Sequence, residues 1–263
     1  MSGADASTVV HAYGLVDPTS AVQLPAGIDG ASVSVVSVGD IAALASELSA
    51  EAYGPEVWRA HAEDPRWLEH VASQHHAVLQ AVVEQADVLP LRLPGIHADL
   101  ATLEAALRGE HESLGSAFAG VRGHVELGAK VYVVAAAQDP AAQERPTSGR
   151  DYLRRRSAEA TSREESRLLR QAKVLDAHEA MAMAATRAVA NPAQDAALSG
   201  RSEPMVLNAA YLVARDHMEA FIKVAEQLAD TLHEAGMTLE VTGPWPPYNF
   251  AVGPEETTAR EAG

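Results

Sequence analysis

Eleven histidines are the residues of this chain best suited to metal or acid–base chemistry. The densest group consists of His61, His70, His75 and His76. None belongs to a His-Glu-x-x-His motif, in which two imidazoles one helical turn apart hold zinc. His75 also falls in the apolar stripe of a predicted helix, where a structural imidazole is the simpler interpretation. The sequence therefore predicts no metal site.

Motifs of other common active sites are absent from the sequence. No stretch matches Gly-x-x-x-x-Gly-Lys-Ser/Thr, Gly-x-Gly-x-x-Gly or Gly-x-Ser-x-Gly. The chain has no cysteine, which excludes thiolate nucleophiles and zinc–thiolate sites. Adjacent carboxylates such as Glu164 and Glu165 lie in an arginine-rich helix, where pairing with arginine explains them. We predict no catalytic residue and no cofactor, and therefore a protein that is not an enzyme.

An arginine-rich segment covers residues 150–170, with seven arginines and four acidic residues. One interpretation is a solvated helix with ion pairs four residues apart, such as Glu159–Arg163, each contributing a few tenths of a kcal/mol. The other is a docking face for an acidic partner, because a guanidinium makes several hydrogen bonds at once. The anchors of such a face are Arg154, Arg155 and Arg156.

The charge and hydropathy of the chain exclude two classes of partner. The formal net charge is −16, whereas affinity for nucleic acid comes largely from clustered cations. The most apolar windows are interrupted by charged residues and fall short of the roughly 20 residues that span a bilayer. The first ten residues lack the basic region of a signal peptide. We expect a cytoplasmic protein that binds neither nucleic acid nor membrane.

The first half of the chain is predicted to mix strands and helices. β-Branched runs predict strands at Thr8–Val16 and Ser32–Val38. Residues 40–48 predict a short helix capped by its aspartate, and residues 51–55 predict a loop. Apolar side chains at spacings of three and four predict a helix over residues 65–86. The remaining elements are a strand at 88–91 and helices at 100–108, with Asp99 as N-cap, and 113–119.

The second half is predicted to follow the order strand–helix–strand–strand–helix–strand, that of a ferredoxin-like split βαβ unit. Its first helix begins at residue 148 and continues to about residue 190, about 60 Å if unbroken. The first half of that helix is nearly all polar, so we expect it to project. Asp216 and Glu219 suggest a capping box for the second helix. The strands are expected at residues 130–136, 188–191, 205–214 and 237–241.

These patterns predict an α+β fold with two domains and a tail. Residues 1–122 form a modified ferredoxin-like domain, residues 123–242 a ferredoxin-like domain with a long projecting helix, and residues 243–263 a Pro/aromatic tail. Three prolines near its start favour an extended path that holds aromatic side chains in place. We expect Trp245 to pack on the second domain and residues 248–250 to lie nearer the surface. The tail residues expected at a partner interface are Trp245, Tyr248, Asn249 and Phe250.

Five segments, spread along nearly the whole chain, together resemble the landmarks of the gas vesicle protein F/L family. They are Val88–Arg92, Glu126–Tyr132, Gly149–Arg156, Leu207–Val213 and Thr242–Phe250. Two positions depart from the family pattern. Leu127-Gly128 stands where the family usually has Trp-Gly, and Leu93-Pro94-Gly95 stands where it has an aromatic followed by small residues.

The resemblance implies a non-enzymatic role in gas vesicle assembly. Proteins of this family are expected to bind the hydrophobic shell protein and other minor vesicle proteins, to prevent shell-protein aggregation, and to become minor vesicle components. An acidic body suits this role because charge repulsion keeps complexes dispersed. The alternative is a ferredoxin-like small-ligand-binding or regulatory module, which rests on the predicted order of elements alone.

Overall fold

The computed structural model describes residues 7–134, 149–194 and 201–251 of the 263-residue chain. These residues form two compact units. The first contains the described residues up to Glu126 together with those from Pro244 onward, and the second runs from Leu127 to Gly243. The structure contains helices and two sheets, so the fold is of the α+β class that the sequence predicts. None of the described helices carries an apolar stretch that would span a bilayer.

Five strands form the sheet of the first unit. They are β1 Thr8–Val16, β2 Val33–Val38, β3 Ile41–Ser49, β4 Leu89–Pro90 and β5 Ile96–His97. The strand order is β2-β3-β1-β4, and β5 also pairs with β1. All of these pairs are antiparallel. Nearly every side chain of β1 and most of those of β3 are buried, so these strands form the centre of the core.

The predicted helix over residues 40–48 is wrong, because this segment is strand β3. Gly39 has φ 63° and forms with Asp40 the two-residue turn that joins β2 to β3. Glycine adopts this positive φ without strain. The run Ile41–Ala45 has good helix propensity, but all of its side chains are buried in the sheet. Tertiary packing therefore outweighs the local preference.

Five helices complete the first unit. They are α1 Ala50–Tyr53, α2 Pro55–His61, α3 Pro65–Val83, α4 Leu100–Gly109 and α5 His111–Ala119. The predicted loop over residues 51–55 is wrong, since α1 and the start of α2 occupy it. Pro55 lies in the first turn of α2, where the missing N–H of proline has no cost. The proline that suggested a loop thus begins a helix.

The predicted helices over residues 65–86 and 100–108 are confirmed as α3 and α4. Asp64 caps α3, where its carboxylate accepts hydrogen bonds from the backbone N–H groups of Arg66 and Trp67. Asp99 caps α4 as predicted and accepts a hydrogen bond from the N–H of Thr102 at 2.7 Å. These side chains satisfy backbone donors that have no partner within the helix.

The second unit is built on a four-stranded sheet and two helices. The elements are β6 His124–Val133, α6 Gly149–Met183, β7 Arg187–Ala190, β8 Met205–Ala214, α7 Met218–Glu234 and β9 Met237–Trp245. The strand order is β7-β8-β6-β9, and β7 runs antiparallel to β8. Both helices contribute to one core, in which Met181 of α6 and Phe221 of α7 cluster with Tyr211 of β8.

Several features of the second unit differ from the prediction. Strand β6 begins at His124 instead of residue 130, and β9 continues to Trp245 instead of ending at residue 241. Helix α6 ends at Met183 instead of about residue 190, because β7 occupies Arg187–Ala190 and pairs with β8. The predicted capping box at Asp216 and Glu219 is not formed. A 3-10 turn at Arg215–His217 precedes α7, and no side chain caps the helix start.

Candidate protein-interaction surfaces

The described part of the C-terminal tail makes hydrogen bonds and a ring contact with helix α3 of the first unit. Gln80 Nε2 donates a hydrogen bond to the carbonyl of Pro244 at 3.0 Å. His76 Nδ1 lies 3.0 Å from the hydroxyl of Tyr248, and the His76 ring packs against Trp245 with 5.6 Å between ring centroids. The half-buried indole of Trp245 thus contacts the first unit, whereas we expected it to pack on the second domain.

A buried carboxylate holds the end of the tail. Glu126 is 6% exposed and accepts hydrogen bonds from the backbone N–H of Asn249 at 2.8 Å and from its Nδ2 at 2.6 Å. Burial raises the pKa of Glu126, and the two hydrogen bonds oppose this rise. A buried carboxylate that loses its partners is costly. The contact joins two segments that the sequence singled out separately, residues 126–132 and 242–250.

The neighbours of Asn249 in the tail differ in exposure. A 3-10 turn covers Tyr248–Phe250, and in such a turn successive side chains point in different directions. Tyr248 is 39% exposed, whereas Phe250 is only 4% exposed. The expectation that this segment lies near the surface is therefore right for Tyr248 and wrong for Phe250, which packs into the first unit.

Substitution of Asn249 by Ala is expected to lower the free energy of unfolding of the first unit by about 1–3 kcal/mol, because the buried Glu126 carboxylate loses the Nδ2 donor and keeps only the backbone N–H of residue 249. Urea denaturation followed by tryptophan fluorescence measures this effect. The probe is specific, since Trp58, Trp67 and Trp245 are all of the tryptophans and all lie in the first unit.

The matched control is Asn208→Ala in the second unit, where the Asn208 amide donates to a backbone carbonyl at 2.9 Å. We expect this variant to leave the tryptophan transition in place. Equal midpoints for Asn249→Ala and the unsubstituted protein would show that the Asn249 amide does not hold the tail on Glu126.

A cleft of about 700 Å³ opens in the first unit beside Tyr248. Its walls are mainly leucine and alanine side chains of α3, α5 and the segment that follows β4, and its polar groups include His76 and Arg92. A cleft of this size and composition accommodates an apolar segment or a small molecule. The segment Val88–Arg92, a landmark of the sequence, therefore forms a wall of this cleft.

Two buried histidines form a pair at the cleft, which His75 helps to line. His11 Nε2 is 3.0 Å from His75 Nδ1, and the two residues are 0% and 3% exposed. Burial lowers the pKa of His11 to about 3, helped by the nearby His75, and lowers that of His75 to about 4. The carbonyls of Pro94 and Leu91 favour the protonated forms, but neither forms a hydrogen bond of good geometry with these rings. Both rings are therefore neutral at physiological pH.

The four clustered histidines of the sequence have separate partners. These partners are the Val57 carbonyl for His61, Asp29 for His70, His11 for His75 and Tyr248 for His76. Within residues 7–134, 149–194 and 201–251, no three His, Asp or Glu side chains lie close enough together to hold a metal ion. Each of these four histidines has a hydrogen-bonding partner within the first unit.

The arginine-rich part of α6 is exposed to solvent. Arg154 and Arg156 are exposed, whereas the side chain of Arg155 lies outside the described residues. The predicted ion pair between Glu159 and Arg163 is present, with 3.7 Å between charged atoms. Exposed pairs of this kind contribute at most about 1 kcal/mol, so they leave the arginines available to a partner at little cost.

Comparison with known proteins now identifies the family. Residues 9–252 match the profile of the family described as gas vesicle synthesis protein GvpL/GvpF. The chain belongs to this family. It is 36% identical over 244 residues to gas vesicle protein L of Streptomyces sp. (strain CB03234), an alignment that covers 90% of each protein. It is 26% identical to gas vesicle protein F2 of Halobacterium salinarum, over 92% of this chain and 91% of that protein.

Solved GvpF structures share the fold of this GvpL/GvpF protein. The crystal structure of GvpF from Anabaena sp. PCC7120 superposes with a TM-score of 0.68 at 18% identity, covering 94% of this chain and 97% of that one. GvpF from Microcystis aeruginosa superposes with a TM-score of 0.63 at 18% identity, covering 93% and 99%. At this identity the likeness establishes the α+β fold. The family resemblance drawn from the sequence is confirmed, and the protein has a gas vesicle-related role.

Sequence reasoning missed the partners of the tail and the buried histidine pair. Glu126 and His11 are each an ionisable residue within a mostly apolar strand, β6 and β1 respectively. Such a residue needs a hydrogen-bonding partner once it is buried. That signal marks the two positions, but it does not identify Asn249 or His75, which are distant in sequence.

Proposed function

We propose that this protein is a non-enzymatic gas vesicle assembly protein. In this role it binds the hydrophobic shell protein and other minor vesicle proteins, prevents shell-protein aggregation during vesicle nucleation and growth, and becomes a minor vesicle component. The observation that carries the proposal is the family match over residues 9–252. Its proposed locations are the cytoplasm and the gas vesicle, without nucleic acid or membrane as a partner.

Two surfaces of the first unit suit the capture of apolar segments. Strand β2 lies at one end of the sheet order, and Val35 on it is 42% exposed. An exposed edge strand binds an extended segment by strand addition. The cleft of about 700 Å³ offers leucine and alanine walls to a compact apolar side-chain group. The net charge of −16 keeps such a complex dispersed.

We propose two groups of partner-contacting residues. The first is Arg154, Arg155 and Arg156 on α6, and the second is Trp245, Tyr248, Asn249 and Phe250 in the tail. Exposure supports Arg154, Arg156 and Tyr248 as direct contacts. Asn249 and Phe250 support the tail from its buried side, which keeps Tyr248 at the edge of the cleft.

The proposed domain organisation remains residues 1–122, residues 123–242 and a tail of residues 243–263. We propose a ferredoxin-like plan for the second domain, which its element order and the strand order β7-β8-β6-β9 support. A modified form of the same plan is proposed for the first domain.

Co-expression with the shell protein tests the assembly function. We expect a larger soluble fraction of shell protein after high-speed centrifugation when this protein is present than when it is absent. The reason is that apolar shell segments bind to the protein instead of to each other. The control is co-expression of an unrelated acidic protein of similar size. Equal pelleting in all three cultures would defeat the proposal.

The cleft also favours a second candidate function, a small-ligand-binding or regulatory module, because its volume lies within the usual range for ligand pockets. A melting screen against metabolites distinguishes the two. A metabolite that raises the melting temperature, together with no effect on shell-protein pelleting, would favour the regulatory module.

A further inference from the structure

A trough in the second unit begins where helix α6 leaves the sheet. Ala177 and Met181 of α6 are 1% and 0% exposed and pack into the core. At about 100° per residue, the same face of the helix continues toward its N-terminus. The residues on this continuation are Val174, Gln171, Arg170 and Arg167. They line a trough of about 420 Å³, and Val174 also packs against the end of the core formed by Val131 and Met237.

The floor of the trough is an open edge of the hydrophobic core. It is formed by Val133, Val206 and Met237, from three strands of the sheet. Met237 is fully buried and shares a core cluster with Ala177, whereas Val206 is 42% exposed. Beside the trough, Leu168 and Leu175 are 52% and 56% exposed. Apolar surface left in water in this way is stabilised by a partner that covers it.

The rim of the trough is positively charged. Arg170 has no hydrogen-bond or ion-pair partner among the described residues. Arg167 pairs with Glu164 at 2.6 Å, yet its side chain is 58% exposed. Residues 150–175 carry eight cationic and four anionic side chains, in a chain whose net charge is −16. A cationic surface on a strongly acidic protein complements an acidic partner and repels a basic one.

We propose that this trough binds an acidic amphipathic helix of a partner protein. The apolar face of that helix packs on Val133, Val174 and Val206, and its carboxylates accept hydrogen bonds from Arg167 and Arg170. The helix lies along α6, whose exposed leucines extend the contact. This inference rests on the proposed function only in taking the partner to be a protein.

Binding of a designed peptide by the full chain tests the proposal. The probe is a fluorescein-labelled peptide of about 18 residues, with Leu at positions i, i+3, i+4 and i+7 and with Glu and Ala elsewhere. We expect fluorescence anisotropy to show that R167E/R170E raises the Kd at least tenfold. The control R59E/R108E makes the same charge change on two exposed, ion-paired arginines of the first unit, and its Kd should change less than twofold.

Further variants separate the apolar and ionic parts of the site. V206E should also raise the Kd at least tenfold, and far-UV circular dichroism melts of all variants should match that of the unsubstituted protein. A peptide with Lys in place of Glu should bind at least tenfold more weakly. Equal affinity for the Glu and Lys peptides, or equal weakening by both double variants, would overturn the proposal.

Two other outcomes would also overturn the trough as the site of an acidic helix. One is that the Glu peptide does not bind the unsubstituted protein at concentrations up to about 1 mM. This result would mean that any Kd lies above about 1 mM, too weak for a specific site. The other is the detection of a dimer by light scattering, if R167E/R170E abolishes the dimer and the peptide does not dissociate it. A second copy of the chain would then occupy the trough. If either result is obtained while co-expression still increases the soluble fraction of shell protein, the proposed function is retained and only the trough is rejected as a binding site.

Discussion

Substitution of Phe250 by Ala is expected to lower the free energy of unfolding of the first unit by about 3–5 kcal/mol. Phe250 is 4% exposed, although it is the last residue but one of the described tail. Its removal takes a large apolar side chain from the core and leaves a cavity that the surroundings fill only in part. Tryptophan fluorescence during urea unfolding measures the loss, since every tryptophan lies in this unit.

The control for this variant is Tyr248→Phe, which keeps an aromatic ring at the exposed neighbouring position and removes only its hydrogen bond with His76. This change is expected to cost about 1 kcal/mol or less. If Phe250→Ala and Tyr248→Phe unfold at the same urea concentration, the tail is not part of the folded core of the first unit.

Acidification is expected to destabilise the first unit through the His11–His75 pair. Burial lowers the pKa of His11 to about 3 and that of His75 to about 4, from an ordinary value of 6.5. Below about pH 7 the unfolded chain therefore binds more protons than the folded chain. As the pH is lowered, the free energy of unfolding decreases until the pH reaches the folded pKa values. From about pH 7.5 to about pH 5 we expect a loss of about 2–4 kcal/mol.

Several neighbours contribute to this acid sensitivity. Tyr13 packs against both rings, while His97 and His76 disfavour a charge on His11 and His75 respectively. Replacement of His75 by Leu removes one buried titrating group and should roughly halve the stability lost between the two pH values. Exposed His233 in the second unit provides the control, and His233→Gln should leave the tryptophan-detected pH dependence unchanged. Equal pH dependence in His75→Leu and the unsubstituted protein would refute the role of the pair.

The sequence predicted elements wherever periodicity and local capping agree. Helix α3 follows from apolar residues at helical spacing, and α4 from Asp99 as its N-cap, because both signals lie within the element itself. Strand β3 was missed because Ile41–Ala45 favours a helix locally and becomes a strand only through pairing with β1 and β2. Strand β7 was expected at residues 188–191, but the predicted helix overlapped it, and the pairing of β7 with β8 is what separates the strand from the end of α6 at Met183. A local sequence pattern does not show which distant strand a segment pairs with.

The candidate interaction surfaces were predictable in kind but not in position. The arginines of α6 are visible as a charged run, and their exposure follows from the polar character of that helix. The trough is not visible in the sequence, because Val206 and Met237 reach it from strands distant in the chain. The tail was recognised by its prolines and aromatics. Its attachment to the first unit depends on Glu126, more than one hundred positions earlier.

Binding of the shell protein by this protein is best measured with purified components. Denatured shell protein is diluted into buffer with increasing amounts of this protein, and light scattering records aggregation. We expect scattering to fall as the molar ratio rises and to reach a plateau at a fixed stoichiometry, because each molecule covers a defined apolar segment. Scattering that is unaffected at any ratio, or reduced equally by an unrelated acidic protein, would show that the protein does not bind the shell protein in this way.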